Sequence, residues 1–160
     1  MIPTTEMPVQ PAVAKSGGSR RLSRELVLRA LYQWQLNDCS LAVLVAQAEA
    51  ADIHAKANVV YFEALLAGVL KHVAELDEAL APMLDREIAA LSPIEHGVLL
   101  LGGYELIHQP DVPYRVVLNE AVDLTKRYGG TDGHKYINGV LDKLAQAVRQ
   151  TEVGAARSAR

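Results

Sequence analysis

The chain has 160 residues, half of them hydrophobic and 22% charged, with one cysteine, Cys39. That is the length of one domain able to bury its own core, and the composition excludes global disorder, a disulfide framework and a multi-cysteine zinc site. The net charge of −3 conceals an asymmetry: the first 29 residues carry five basic against two acidic side chains, the remaining 131 carry 11 against 17. A basic front end on an acidic body suits one local contact with an anionic partner. No apolar run approaches the roughly 18 residues a bilayer requires, and Pro3, Pro8 and Pro11 interrupt any signal-peptide core, so a cytoplasmic protein is expected.

Residues 1–19 read as a flexible tail ending in Ser16-Gly17-Gly18-Ser19, a linker composition. Between 20 and 150 almost everything reads as helix, and 151–160 read as a frayed C-terminal tail. The first helix is expected over 22–36, with Leu22, Leu26, Leu31 and Trp34 inward and Arg21, Arg24 and Arg29 off that stripe. Asn37-Asp38 ends it, and Ser40 caps a short helix over 41–51. Asn58 caps a long helix over 59–80, buried along Tyr61, Leu65, Leu66, Val69, Val73, Leu76 and Leu80. Pro82 then opens a shorter helix over 83–90. Ser92-Pro93-Ile94-Glu95 has the spacing of a capping box and starts a helix reaching about His108. Gly102-Gly103 in its middle costs up to about 1 kcal/mol per glycine, which implies close approach to a neighbouring helix. A helix over 114–127 ends at Gly129-Gly130. Thr131 or Asp132 caps the last, over 133–148, with Ile137, Val140, Leu141, Leu144 and Val148 inward. The expectation is an all-α fold of about seven helices in two packed bundles.

Nothing in this pattern assembles a catalytic site. The five histidines show no H-E-x-x-H pair and no cysteine at ligand spacing. Asp132, His134 and Asp142 read as groups at a helix start rather than metal ligands, and Gly129–Gly133 reads as a helix stop followed by a start rather than a phosphate loop. No cofactor and no metal are expected. Binding is better supported. Arg20, Arg21 and Arg24 are expected to project into solvent together, as guanidinium forks that suit phosphate and stack on bases. Tyr32, further along the same helix, offers a ring for base stacking, whereas Trp34 is expected in the core. Lys126, Arg127, Asp132, His134, Lys135 and Tyr136 form a second polar cluster. If the last helix packs beside the first, the two clusters make one groove.

Several segments, in order, resemble the NusB family of bacterial transcription antitermination factors. They are Arg20-Arg21-Leu-Ser-Arg24-Glu25, Ala30-Leu31-Tyr32-Gln33-Trp34-Gln35, Tyr61-Phe62-x-x-Leu65-Leu66-x-Gly68-Val69, Leu91-Ser-Pro-Ile-Glu95, Tyr104-Glu105-Leu106, Val112-Pro113-Tyr114 with Asn119-Glu120-Ala121, and His134-Lys135-Tyr136 with Asn138-Gly139-Val140-Leu141-Asp142. The resemblance covers about 20–149. It implies two three-helix bundles and a non-enzymatic factor that binds boxA, a short single-stranded RNA element of ribosomal RNA leader transcripts. It also implies a protein partner, the ribosomal protein NusE, and assembly with other Nus factors on RNA polymerase. Carried over residue by residue, the RNA contacts are Arg20, Arg21, Arg24, Tyr32, Lys126, Asp132, Lys135 and Tyr136, with Asp132 as a tuner, and the partner contact is Glu95. Gly102-Gly103 departs from the family's larger helix formers and is expected to loosen that helix. The shorter arginine run and added tail are expected to lower RNA affinity and raise dependence on the partner. Related domains fused to RNA methyltransferases carry an S-adenosylmethionine domain that these 160 residues do not contain. The alternative reading is a helical protein–protein adaptor or homodimer without intrinsic RNA binding.

Overall fold

The computed structural model describes residues 17–159, and the expected tail over 1–16 lies outside them. The described residues hold eight α-helices and no strand: α1 Arg20–Asn37, α2 Leu41–Glu49, α3 Val59–Lys71, α4 Val73–Leu80, α5 Pro93–His108, α6 Tyr114–Tyr128, α7 Gly133–Val148 and α8 Gln150–Ser158. None is long and apolar enough to cross a membrane. The chain divides into two compact units, one ending at Ala67 and one beginning at Gly68.

In the first unit α1 starts earlier than the apolar pattern suggests, because Ser19 caps it: its side chain accepts from Leu22 N–H at 3.1 Å. Such a cap contributes about 1 kcal/mol. Ser19 also donates its N–H to Lys56 O at 2.8 Å and accepts from Asn58 N–H at 3.1 Å, forming a parallel bridge with Ala57. Ser23 Oγ donates to Asn58 O at 2.7 Å, and Asn58 Oδ1 accepts from Tyr61 N–H at 3.0 Å to cap α3. Gly18 makes this clamp possible. Its φ is +92°, and a Cβ there would lie 2.2 Å from Ala57 O. Gly18 and Ser19, expected in the tail, therefore belong to the folded unit, and the glycine serves backbone approach rather than looseness. Leu26, Leu31, Phe62, Leu65 and Leu66 fill the core of this unit. Trp34 is only half-buried, since the last turns of α1 run out into solvent where Leu36 is 55% exposed.

In the second unit the long helix expected over 59–80 is broken at His72, whose φ of −113° and ψ of 20° separate α3 from α4. The His72 ring Nδ1 lies 2.8 Å from Gly68 O, four residues back. Gly68 O also accepts the His72 backbone N–H at 3.1 Å, so the ring adds a second bond to the last turn of α3. Residues 83–90 also depart from expectation. Only two 3-10 turns form, at Ala81–Met83 and Ile88–Ala90, and none of those residues is buried. A short helix without an apolar face to bury has nothing to offset its nucleation.

The capping box at Ser92 and Glu95 is present in both directions, at 3.1 and 3.0 Å. From Gly97 to Leu106 every residue of α5 is buried. Gly102 admits α7 closely: a Cβ there would stand 2.7 Å from Leu141 Cδ1. Helix α7 covers the span expected, although Val148 faces solvent and Arg149 turns inward instead. The segment expected as a frayed tail is α8, whose Val153 is buried. Arg149, 8% exposed, explains it. Its Nε donates to Leu106 O, Nη1 to Val112 O and Glu152 Oε1, and Nη2 to Glu105 O and Gln109 O, all within 2.7–3.0 Å. All five guanidinium donors are thereby matched, to Glu152 and to four carbonyls at the end of α5 and its following turn, of which Glu105 O and Gln109 O also accept a backbone N–H. Glu152 Oε2 in turn accepts from Tyr114 N–H at 2.8 Å and caps α6, where Pro113 has no capping side chain.

Candidate nucleic-acid interface

The clamp at Ser19 and Asn58 fixes where α1 begins, and with it the arginines. Tyr61, on the first turn of α3, is the platform. The Arg20 guanidinium lies 4.1 Å from its ring centroid and the Arg24 guanidinium 5.5 Å. Cation–π contacts of this kind contribute about 0.5–2 kcal/mol. Arg20 and Arg21 are exposed, but Arg24 is only 4% exposed. This corrects the expectation that all three project into solvent. Six consecutive residues of α1, Ser23 to Leu28, are buried, so burial at that level encircles the helix. Glu25 is buried beside them, and its carboxylate pairs with Arg29 at 3.1 Å. Tyr32 is 37% exposed. It follows Arg21 by 11 residues, about three turns, on nearly the same face and roughly 16 Å further along α1.

The second cluster lies in the second unit. Lys126, on the last turn of α6, is exposed. Asp132 occupies the residue before α7 in the left-handed region, φ 64°, but its side chain does not cap the helix. It pairs with Lys135 at 3.6 Å, both side chains about 70% exposed (69% and 75%). The Tyr136 ring is covered by the Arg86 guanidinium at 4.2 Å. Its hydroxyl is shielded from solvent without a partner at hydrogen-bonding geometry. Burial pushes the Tyr136 phenol up. A hydrogen bond from Arg86, with Nε 2.7 Å from Asp85 Oδ1, holds the Asp85 carboxyl below its ordinary range and Arg86 above its own. Glu95, the expected partner contact, sits here too: its Oε2 would be 3.9 Å from a Cβ on Gly133. The start of α7 is thus ringed by Asp85, Glu95 and Asp132 as well as Arg86 and Lys135. Its charge is close to balanced, whereas the start of α1 is cationic.

Two participants escaped the sequence reading. Tyr61 was expected simply as a core residue. Its place three residues after a capping Asn, on the helix that meets the arginine segment, was the available signal. Arg86 fell in a stretch expected to be helical, and nothing in the sequence pairs it with Tyr136.

A family model described as the NusB family matches residues 21–146. Transcription antitermination protein NusB of Thiobacillus denitrificans is 51% identical over 136 residues, covering 85% of this chain and 94% of its own. The same-named protein of Nitrosomonas eutropha is 47% identical over 156 residues, covering 96% and 93%. Among solved structures, NusB of T. maritima superposes with a TM-score of 0.73 at 28% identity, over 81% of this chain and 92% of that one. A chain from a crystal structure of the antitermination factors NusB and NusE in complex with dsRNA superposes with a TM-score of 0.70 at 26% identity, over 80% and 96%. The all-helical architecture agrees with both, and the chain belongs to the NusB family of transcription antitermination proteins.

Proposed function

We propose that this chain binds boxA-type single-stranded RNA of ribosomal RNA leader transcripts together with the ribosomal protein NusE. The pair then helps assemble the antitermination complex on RNA polymerase in the cytoplasm. The observation that carries this reading is the cationic start of α1, held by the Ser19–Asn58 clamp and stacked on Tyr61. Arg20 and Arg21 anchor phosphates, and Arg24 acts through Tyr61 as a positioning residue rather than as a contact. Tyr32 stacks an unpaired base. Lys126 and Lys135 give further phosphate contacts. Asp132 lowers the local cationic field and penalises wrong sequences. Tyr136, with Arg86 across its ring, shapes that second contact. Glu95 is proposed to meet the basic ribosomal partner, consistent with the acidic remainder of the chain.

The test is fluorescence anisotropy of a boxA-type RNA against a scrambled RNA, with and without NusE. The proposal expects selective binding that tightens when NusE is added. Binding of NusE with no selectivity for either RNA would favour the second reading, a protein-only adaptor or homodimer. That reading draws on the exposed apolar side chains Leu36, Leu41 and Val43. Light scattering at two protein concentrations would then identify a dimer.

A further inference from the structure

At the break between α3 and α4 the fold gathers three side chains that the sequence spacing leaves far apart. His72 occupies the break, Glu75 the first turn of α4, and His108 the last position of α5. One ligand atom from each lies within 4.8 Å of the other two. We infer that His72, Glu75 and His108 form a site for a divalent transition-metal cation of the zinc class. Two imidazoles and a carboxylate are the donor set such ions take, with one position left for water.

The geometry prepares each donor. His72 Nδ1 lies 2.8 Å from Gly68 O. A carbonyl only accepts, so Nδ1 is the donor there, which leaves Nε2 as the nitrogen available to an ion. A ligating histidine is oriented in just this way, by giving its other N–H to a backbone carbonyl. His108 Nε2 stands 3.1 Å from Glu75 Oε1. An ion at ordinary zinc–nitrogen and zinc–oxygen distances from both atoms would see them roughly 95° apart, within the range its coordination tolerates. Binding requires that His108 turn an unprotonated Nε2 to the ion and that the three donors, within 4.8 Å of one another, close in to ordinary ligand distances. The rings are held by contact with one another, tilted by 37° between His72 and His108, and by stacking of His108 on Tyr104. His72 and His108 have centroids 4.4 Å apart, and Tyr104 stacks on His108 at 4.9 Å. Tyr104 is itself fixed against Gly68, where a Cβ would meet its hydroxyl at 2.2 Å. Glu75 and His108 remain partly exposed, so an ion reaches the site from solvent. Occupancy would tie the broken helix to the end of α5.

The test is calorimetric titration of Zn²⁺ alone into the full chain at neutral pH. One saturable ion per chain is expected. Glu75→Gln, whose side chain is half-exposed, and His108→Gln should each weaken binding by at least about tenfold, since losing even a group that supports a ligand costs that much. His134→Gln, on α7 and outside the cluster, should leave it unchanged. Circular dichroism of each variant checks that it is folded. Absence of saturable binding in the wild type would overturn the inference. So would binding unaltered by both Glu75→Gln and His108→Gln.

Discussion

Arginine does opposite work at the two ends of this chain. At the start of α1, Arg20 and Arg21 lie at the surface, and Arg20 and Arg24 share the Tyr61 ring. At the end of α7, Arg149 turns every donor inward, onto four backbone carbonyls and Glu152. A guanidinium whose donors are all matched inside the fold has none left for a ligand. The exposed Arg20, set against an aromatic ring that takes none of its N–H donors, is placed where phosphate oxygens can approach. The difference predicts that one arginine carries stability and the other carries binding.

The largest effect should come from Arg149. Arg149→Met keeps the apolar stem but strips partners from buried carbonyls and from Glu152. A loss of about 3–5 kcal/mol is expected, by analogy with breaking a buried ion pair. At this chain length that lowers the melting temperature by roughly 10 °C. RNA affinity of the remaining folded protein should be unchanged, and calorimetry with anisotropy checks both. Next is Gly18→Val, which forces a branched residue to a φ of +92° and into Ala57 O. The expected cost is about 1–3 kcal/mol, and because the clamp places the arginines, RNA binding should weaken with it. Arg20→Ala and Arg21→Ala combined should invert the Arg149 pattern. Stability should fall by no more than the exposed cation–π contact of Arg20, about 0.5–1 kcal/mol, while RNA affinity falls about tenfold or more and the salt slope loses about 0.7 per contact removed. A smaller change is expected from Asp132→Ala, which releases Lys135 from its exposed pair and should tighten RNA binding about twofold while reducing selectivity.

The smallest effect is one of pH. Burial alone would raise the Glu152 carboxyl, but the Tyr114 N–H and the Arg149 guanidinium outweigh it and leave the group below its ordinary range. A depressed folded pKa gives stability that is present above the unfolded pKa and lost as pH falls through the folded one. Acid unfolding should therefore be shallower in Glu152→Gln than in the wild type, as followed by circular dichroism.

Much of the fold was legible in local chemistry. Ser40, Asn58 and the Ser92–Glu95 box cap helices where the spacing places them, and α7 runs from Gly133 to Val148 as its apolar pattern requires. What was not legible depends on contacts between segments distant in sequence. The break at His72 comes with a ring that reaches back to Gly68 O, a contact the apolar spacing does not encode. The order in α8 needs Arg149 to find carbonyls some 40 residues earlier. The burial of Arg24 was missed for the same reason: helical spacing gives a stripe, whereas the neighbouring segments decide how much of the circumference is covered. At the candidate interface, residue types identified Arg20, Arg21 and Tyr32, but the ring beneath the arginines and the Arg86 cover over Tyr136 belong to tertiary structure.

The central claim is that the start of α1 is the RNA anchor. It is tested most directly by titrating a boxA-type RNA across a salt series with the wild type, the Arg20→Ala/Arg21→Ala pair and Arg149→Met, all at a temperature where each is folded. The four phosphate contacts, Arg20, Arg21, Lys126 and Lys135, predict a log–log slope of about −3 on single-stranded RNA for the wild type and Arg149→Met. The paired variant should show a much flatter slope and weaker binding. Equal slopes and affinities for the wild type and the paired variant would contradict the account and remove the arginines of α1 from the RNA site.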